Sequence, residues 1–376
     1  MATNLLILGA GFSANAGLPL ASEFTANLLK TAGLNADGPS RPQVKFLRRF
    51  VDRTFGEGYP RKPAEWPELE DILTIIDMSA NTGHHLGPHY SASDLRVVRR
   101  AILVRMTRML EQRYRAAKKT AGPAWQALEQ FFEKLDLDDV TVLSMNWDMV
   151  FERGVMRTQG VKQFDYGCGA QPAQFRKDRL IRARPGGTQT LRLLKPHGSV
   201  NWLYCDACRE IFWVPPDQIE RVAKALFREK DWRVLETDGL LTSLPETIDP
   251  ACPHCRGKAL GTRFATFSYR KALDFAMHAA SWRSAEQDLK RTADWVFMGY
   301  SMPPADFEFK QMLKRVQLSE PHRPIITLIT GGKGAPDTIE RFEKFFGKVA
   351  GERHYFDNGL DAPALAHLRR RGVLRR

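Results

Sequence analysis

The chain has 376 residues, 43% apolar and 26% charged, which is a soluble globular composition with room for one large core and a smaller satellite. Its 56 Lys and Arg against 43 Asp and Glu give a net charge of +13, a balance that suits anionic ligands or nucleic acid but does not name a chemistry. Composition argues against a membrane protein, since no apolar run reaches the roughly eighteen residues of a span, and against a disulfide scaffold, since four of the five cysteines fall in two close pairs.

Met1 to Asn4 lead directly into a strand rather than a signal peptide, so a cytoplasmic protein is expected. The apolar run Asn4 to Leu8 reads as that buried strand, and Gly9-Ala10-Gly11-Phe12-Ser13-Ala14-Asn15-Ala16-Gly17-Leu18-Pro19 follows at once. Two glycines between a strand and a helix permit a tight turn and a close approach of backbone to a pyrophosphate. An ordinary bend competes with that reading, because the dinucleotide fingerprint wants a third small residue that Ala14 supplies only in its weaker form. A helix over Phe24 to Leu29 comes next. From about 33 to 122 the chain lacks buried strands and reads as a charged helical insertion capping the sheet, with breaks at Gly38 to Pro42 and Gly58 to Pro67. Within it, Glu68-Leu69-Glu70-Asp71-Ile72-Leu73 opens a helix whose early acids suit the dipole and are read as structural. A long helix is expected over Leu95 to Tyr114 and another over Ala124 to Lys134.

Buried strands then recur at Val140 to Leu143, Leu191 to Leu194, Trp295 to Met298 and Ile325 to Ile329, with a helix from Tyr269 to Arg291. Alternation of this kind predicts an α/β fold, a Rossmann-like parallel sheet with helices on both faces. The densest basic run, Arg369-Arg370-Arg371 and Arg375-Arg376, reads as a solvated tail, with a nucleic-acid contact as the competing reading.

Ligands of open α/β sheets bind beyond the carboxyl ends of the strands, where this chain carries polar motifs. After the second strand comes Ser144-Met145-Asn146-Trp147-Asp148, after the next Lys195-Pro196-His197-Gly198-Ser199, and after Trp295 to Met298 comes Gly299-Tyr300-Ser301-Met302-Pro303, followed by Asp306. Taken singly, Asp148 could be a helix cap and the other motifs ordinary turns. Cys205-Asp206-Ala207-Cys208 and Cys252-Pro253-His254-Cys255 form two knuckles of a four-thiolate zinc site, predicted to be structural. The 43 residues between Cys208 and Cys252 call for a further element there, and His254 is read as a neighbour because four cysteines complete the shell.

In this order, the glycine turn with Ser13, Asn146 with Asp148, His197-Gly198, the zinc knuckles and Gly299-Tyr300-Ser301 resemble the sirtuin (SIR2) superfamily of NAD-consuming enzymes, over about Thr3 to Phe346 outside the insertion. The resemblance implies a Rossmann-like NAD-binding domain at 1–200 and 263–376 and a zinc-ribbon small domain at 201–262. It implies that Gly9, Ala10, Gly11 and Ser13 hold the pyrophosphate and that Gly299, Tyr300 and Ser301 contact the adenosine half. Asn146 and Asp148 would sit by the nicotinamide and its ribose, His197 would act as general base, and Cys205, Cys208, Cys252 and Cys255 would bind structural zinc.

Two departures bear on the nucleophile. Where deacylating sirtuins carry Pro-Asp-Phe-Arg, Leu20-Ala21-Ser22-Glu23-Phe24 stands here, and their substrate-pairing strand is replaced by Phe264-Ala265-Thr266-Phe267-Ser268-Tyr269. The long insertion, the acidic helix start at Glu68 and Asp71, and the run from Gly299 to Asp306 are similar instead to the NAD-hydrolysing sirtuin-like branch of bacterial defence proteins. That resemblance implies an NADase acting as an antiphage effector, triggered by oligomerisation or a partner defence protein, with nucleic acid left open as a partner. A protein deacylase is the first alternative, and a non-catalytic NAD or ADP-ribose sensor the second.

Overall fold

The computed structural model describes residues 3–31, 38–56, 65–184, 186–187, 189–262, 276–319, 323–347 and 352–376. Its main sheet is built from β1 (Asn4–Leu8), β2 (Val140–Ser144), β3 (Gln163–Asp165), β6 (Thr190–Leu194), β10 (Asp294–Met298), β11 (Ile325–Ile329) and β12 (Arg353–Phe356). All pairings in it are parallel, in the order β12-β11-β10-β1-β2-β6-β3. Without the edge strand β3, this is the Rossmann order, with the chain reversing direction between β1 and β10.

The five strands expected from the sequence are all present, because burial on both faces keeps them largely apolar; Arg192 in β6 is the charged exception and is paired with Asp165 and Asp288. In β1, Leu6 and Leu8 enter one core while Leu5 and Ile7 enter the other, and Val142 and Leu143 divide in the same way. The second core is closed by α10 (Ala276–Arg291), α11 (Phe307–Ser319) and α12 (Ala335–Phe346). Helices thus cover both faces. Residues 269–275, the first part of the helix expected from Tyr269, lie outside the described residues, as does the Phe264 to Tyr269 stretch.

On the first face lie α1 (Ala10–Ala14), α2 (Ala21–Leu28), α6 (Pro123–Lys134), α7 (Val150–Gln159) and the insertion. The insertion's described residues form α3 (Ser40–Phe55), α4 (Leu69–Thr82) and α5 (Ala92–Thr120); the break expected at Gly38 to Pro42 runs into the start of α3, while 32–37 and 57–64, with most of the break at Gly58 to Pro67, are not described. The long α5 begins in a capping box: Ser91 Oγ accepts the Asp94 N–H at 3.2 Å, and Asp94 Oδ2 accepts the Ser91 N–H at 2.9 Å.

A second, five-stranded sheet runs β5-β4-β8-β7-β9 and comprises β4 (Gln171–Arg176), β5 (Arg179–Arg182), β7 (Trp202–Cys205), β8 (Ile211–Trp213) and β9 (Leu260–Gly261). It takes in residues 171–182, ahead of the 201–262 boundary drawn from the sequence. The element between the cysteine knuckles includes α8 (Ile219–Leu226) and α9 (Glu229–Thr237). Arg108 of α5 pairs with Glu220 at 2.7 Å and Arg100 with the buried Asp231 at 2.6 Å, which ties the insertion to this lobe.

The C-terminus corrects an expectation. It is not a solvated tail: α13 (Ala362–Arg370) docks on the sheet, and Val373 and Leu374 are buried beside Leu135. The two apolar residues bring the flanking arginines with them, so the Arg371 guanidinium pairs with Asp294 and Arg375 donates to the Glu133 carbonyl at 3.0 Å.

On α13, burial pushes His367 down to about 4, with His354, Arg370 and Arg371 adding like charge, and its Nε2 meets Thr327 Oγ1 at 3.0 Å. A histidine held neutral in the folded state is protonated first in the unfolded chain, so stability should fall as pH drops from about 6.5 to about 4. Urea unfolding across that window should show a shallower slope in His367→Gln than in the wild type. Equal slopes would mean that His367 is not held neutral.

Candidate functional site

The four polar motifs meet at the carboxyl edge of β10-β1-β2-β6, around the point where the chain reverses direction. The glycine turn and the loop after β10 are in backbone contact. The Gly9 N–H donates to the Met298 carbonyl at 3.0 Å and the Gly11 N–H to the Gly299 carbonyl at 2.8 Å. A Cβ on Gly9 would lie 2.5 Å from Tyr300 Cα and one on Gly11 2.8 Å from Gly299 Cα. Close packing of two loops therefore accounts for both glycines, and their N–H groups are committed inside the protein. The helix that follows is only five residues long, anchored by Phe12 among Phe131, Phe132 and Phe151. Gly17, at φ 76, allows the next turn to approach Ala117 of α5.

Asn146 binds this turn from the side. Its Nδ2 donates to the Gly9 carbonyl at 2.8 Å and to Ser13 Oγ at 3.0 Å. A carbonyl can only accept, so the amide orientation is fixed, and the group Asn146 offers a ligand is the acceptor Oδ1. Ser13 is buried, with its hydroxyl against Asn146. Asp148 is half-buried, and its Oδ1 accepts the Val150 N–H at 2.9 Å in an Asx turn just ahead of α7, whose N-cap position falls on Met149 rather than on Asp148.

His197 is buried, its ring 5.9 Å from that of Trp282, and its Nδ1 meets the Met145 carbonyl at 3.2 Å. That carbonyl places the proton on Nδ1 and makes Nε2 the basic atom. Nε2 faces Asp306 Oδ1 at 3.8 Å, and Asp306 Oδ2 accepts the Tyr300 hydroxyl at 2.9 Å. Burial, followed by the Asp306 charge, pushes the Tyr300 hydroxyl well above its usual range. Ser301 is exposed, and its carbonyl accepts from Arg341 Nε at 3.1 Å.

Two site residues went unread in the sequence. Lys195 is fully buried and donates to the Asp148 carbonyl at 2.5 Å, Glu152 Oε1 at 3.0 Å and Ser199 Oγ at 2.8 Å, joining the loops that carry Asn146 and His197. Lysine is almost never fully buried unless paired, so a lysine at a strand end was the available signal. Removing either partner of such a pair costs about 3–5 kcal/mol. Glu70, expected to serve only the α4 dipole, is pushed up to about 7, mainly by burial, with the charges of Glu68, Asp306 and Asp71 adding to the rise.

The four cysteines converge as expected. Cys205 and Cys255 Sγ lie 3.6 Å apart, Cys208 and Cys252 Sγ 3.7 Å, and all four sulfurs are within 4.8 Å of one another. A tetrahedral site with metal–sulfur bonds of about 2.3 Å has edges of about 3.8 Å, so the cluster is positioned to bind a metal. Its two knuckles repeat one turn. Arg209 and Arg256, each just after the second cysteine, have φ 63 and 65 and donate their N–H groups to the Cys205 and Cys252 carbonyls at 2.8 and 3.0 Å. The exposed His254 only donates its backbone N–H to Cys252 Sγ, at 3.4 Å.

No protein-family profile and no curated protein matches the chain. Among solved structures, one described as "The Structural basis of Sirtuin Substrate Affinity" aligns over 93% of this chain and 87% of its own, at 14% identity and a TM-score of 0.34. The residues at the strand ends, not that likeness, carry the functional reading. No helix among the described residues is long and apolar enough to cross a membrane.

Proposed function

We propose that the protein cleaves the nicotinamide–ribose bond of NAD with water, giving nicotinamide and ADP-ribose, as an effector of bacterial antiphage defence acting in the cytoplasm. The observation that supports it is the meeting of a correctly tautomerised histidine, an oriented asparagine and a glycine turn at the switch point of a Rossmann-ordered sheet. In this reading the bond from the anomeric carbon to the nicotinamide nitrogen breaks with its electron pair going to the ring. The water oxygen bonds to the anomeric carbon and a water proton passes to His197 Nε2. Asn146 Oδ1 orients the carboxamide or the water, and Asp148 lends charge near the ribose. Ala10 and Ser13 lie along the pyrophosphate, on a turn that Gly9 and Gly11 let pack against the β10 loop. Gly299, Ser301 and the backbone of Tyr300 border the adenosine half.

The cysteine cluster is proposed to hold one structural zinc through Cys205, Cys208, Cys252 and Cys255. That cluster also favours a second reading, an NAD-dependent protein deacylase, whose lobe it would brace. Oligomerisation, or a partner defence protein seated on the insertion, is the proposed trigger.

Purified protein should release ADP-ribose from NAD without any peptide, and His197→Ala and Asn146→Ala should each slow release by at least about 100-fold. Consumption only in the presence of an acylated peptide would establish the deacylase instead. Tight ADP-ribose binding with no turnover, in every assembly state tested, would leave a sensor.

A further inference from the structure

Asp306 enters the sequence reading only as the end of a turn signature, and the reaction above gives it no task. Its carboxylate is nonetheless buried between two residues of the site, with Oδ2 on the Tyr300 hydroxyl at 2.9 Å and Oδ1 at 3.8 Å from His197 Nε2. A separation of 3.8 Å is too long for a direct hydrogen bond and is a span that one oxygen closes. An atom about 2.8 Å from both would subtend about 85° there, about 20° narrower than the angle between the two O–H bonds of water, which leaves each hydrogen bond within about 10° of linear. Nδ1 is occupied by the Met145 carbonyl, so Nε2 accepts, and a carboxylate oxygen accepts as well.

We propose that Asp306 is a second catalytic residue of this site: its Oδ1 and His197 Nε2 together seat the water that loses its proton, one O–H donated to each, and Tyr300 anchors the carboxylate. This rests on the NAD-cleaving reading. The proton passes from the seated water to Nε2 as the oxygen attacks, and the imidazolium so formed is stabilised by the carboxylate beside it.

The Asp306 carbonyl takes the Lys310 N–H at 3.0 Å at the start of α11, while its carboxylate goes to Tyr300 and His197. The turn that sets the two side by side is strained, since the buried Met302 within it sits at φ 55. Among the groups around the pair, Glu70 of α4 approaches Asp306 closely enough to feel its charge, and Lys195 is turned to the Asp148 carbonyl and Glu152.

The test reads the His197 ring by NMR in substrate-free full-length protein, with the signal assigned through His197→Gln. Asp306→Asn should lower the His197 titration midpoint by at least about one unit, and Asp306→Glu should keep it near the wild-type value. In the hydrolysis assay, Asp306→Asn should reduce kcat by at least about 100-fold and Tyr300→Phe by about tenfold, with the Kd for ADP-ribose within about threefold. With an NAD analogue lacking the ribose 2′-hydroxyl, the Asp306→Asn effect should persist, and its disappearance would overturn the seating of water. An unchanged midpoint in a folded Asp306→Asn protein overturns the proposal, as does full activity in that variant. A shifted midpoint in a protein that consumes no NAD would keep the pairing and reject the NAD-cleaving reading.

Discussion

Alanine at Gly299 is expected to cost about 4 kcal/mol or more of stability and to remove nucleotide binding with it. A Cβ at this position would lie 2.0 Å from the Phe12 nitrogen and 2.3 Å from the Gly11 carbonyl carbon, and both are backbone atoms that cannot rotate away. The conformation is unfavourable as well, since φ 61 is a left-handed value in which a side chain adds about 1 kcal/mol of strain. Relief requires the β10 loop to separate from the β1 turn. That breaks the bond from the Gly11 N–H to the Gly299 carbonyl and moves Tyr300 away from Asp306. Gly186, where a Cβ meets nothing within 4 Å, is the matched control, and its alanine variant should stay within about 0.5 kcal/mol. Urea unfolding of the two variants decides: a Gly299→Ala protein as stable as Gly186→Ala would mean that the two loops are not in backbone contact.

The same junction shows what the sequence could and could not convey. Strands such as Leu5 to Leu8 and Trp295 to Met298 were legible because burial on both sheet faces demands an unbroken apolar run. Strands β3, β4 and β5 were not, because short, partly exposed segments such as Gln171–Arg176 carry Gln and Arg on their open positions. Local chemistry at the site was legible: Asn146, His197 and the two knuckles declare themselves by residue type and place.

Partners far apart in the chain were not legible. Nothing near His197 announces Asp306, nothing near Asp148 announces the Lys195 ammonium, and nothing near Asp306 announces Glu70 on the insertion. The glycines carry a task that the pattern does not announce, for the turn is also a packing solution between two loops. The C-terminal arginines misled for a related reason: composition weighed their charge, while Val373 and Leu374 decided where the segment went.

Removing the metal should produce the largest loss of all. Structural zinc contributes on the order of 10 kcal/mol to small domains that cannot fold without it, and the strands next to the knuckles are short, with three residues in β8 and two in β9. Both knuckles also hold an arginine in a left-handed turn, a strain of about 1 kcal/mol each that the metal must offset. Chelation, or Cys252→Ser, should therefore detach β7, β8 and β9 while the parallel sheet stays folded, giving two unfolding transitions in place of one. The buried Trp202 and Trp213 on β7 and β8 report the event through red-shifted emission. Metal analysis should find about one zinc per chain in the wild type and in Cys168→Ser, since Cys168 lies outside the cluster with its thiol pushed up to about 12 by burial. Each knuckle variant should have lost it. If chelation leaves tryptophan emission and the unfolding curve unchanged, the cluster is not a structural metal site. Because Arg108 and Arg100 tie this lobe to α5, and Glu111 of α5 pairs with Arg153 of α7 beside Asp148, metal loss should also slow NAD cleavage without any ligand residue touching the substrate.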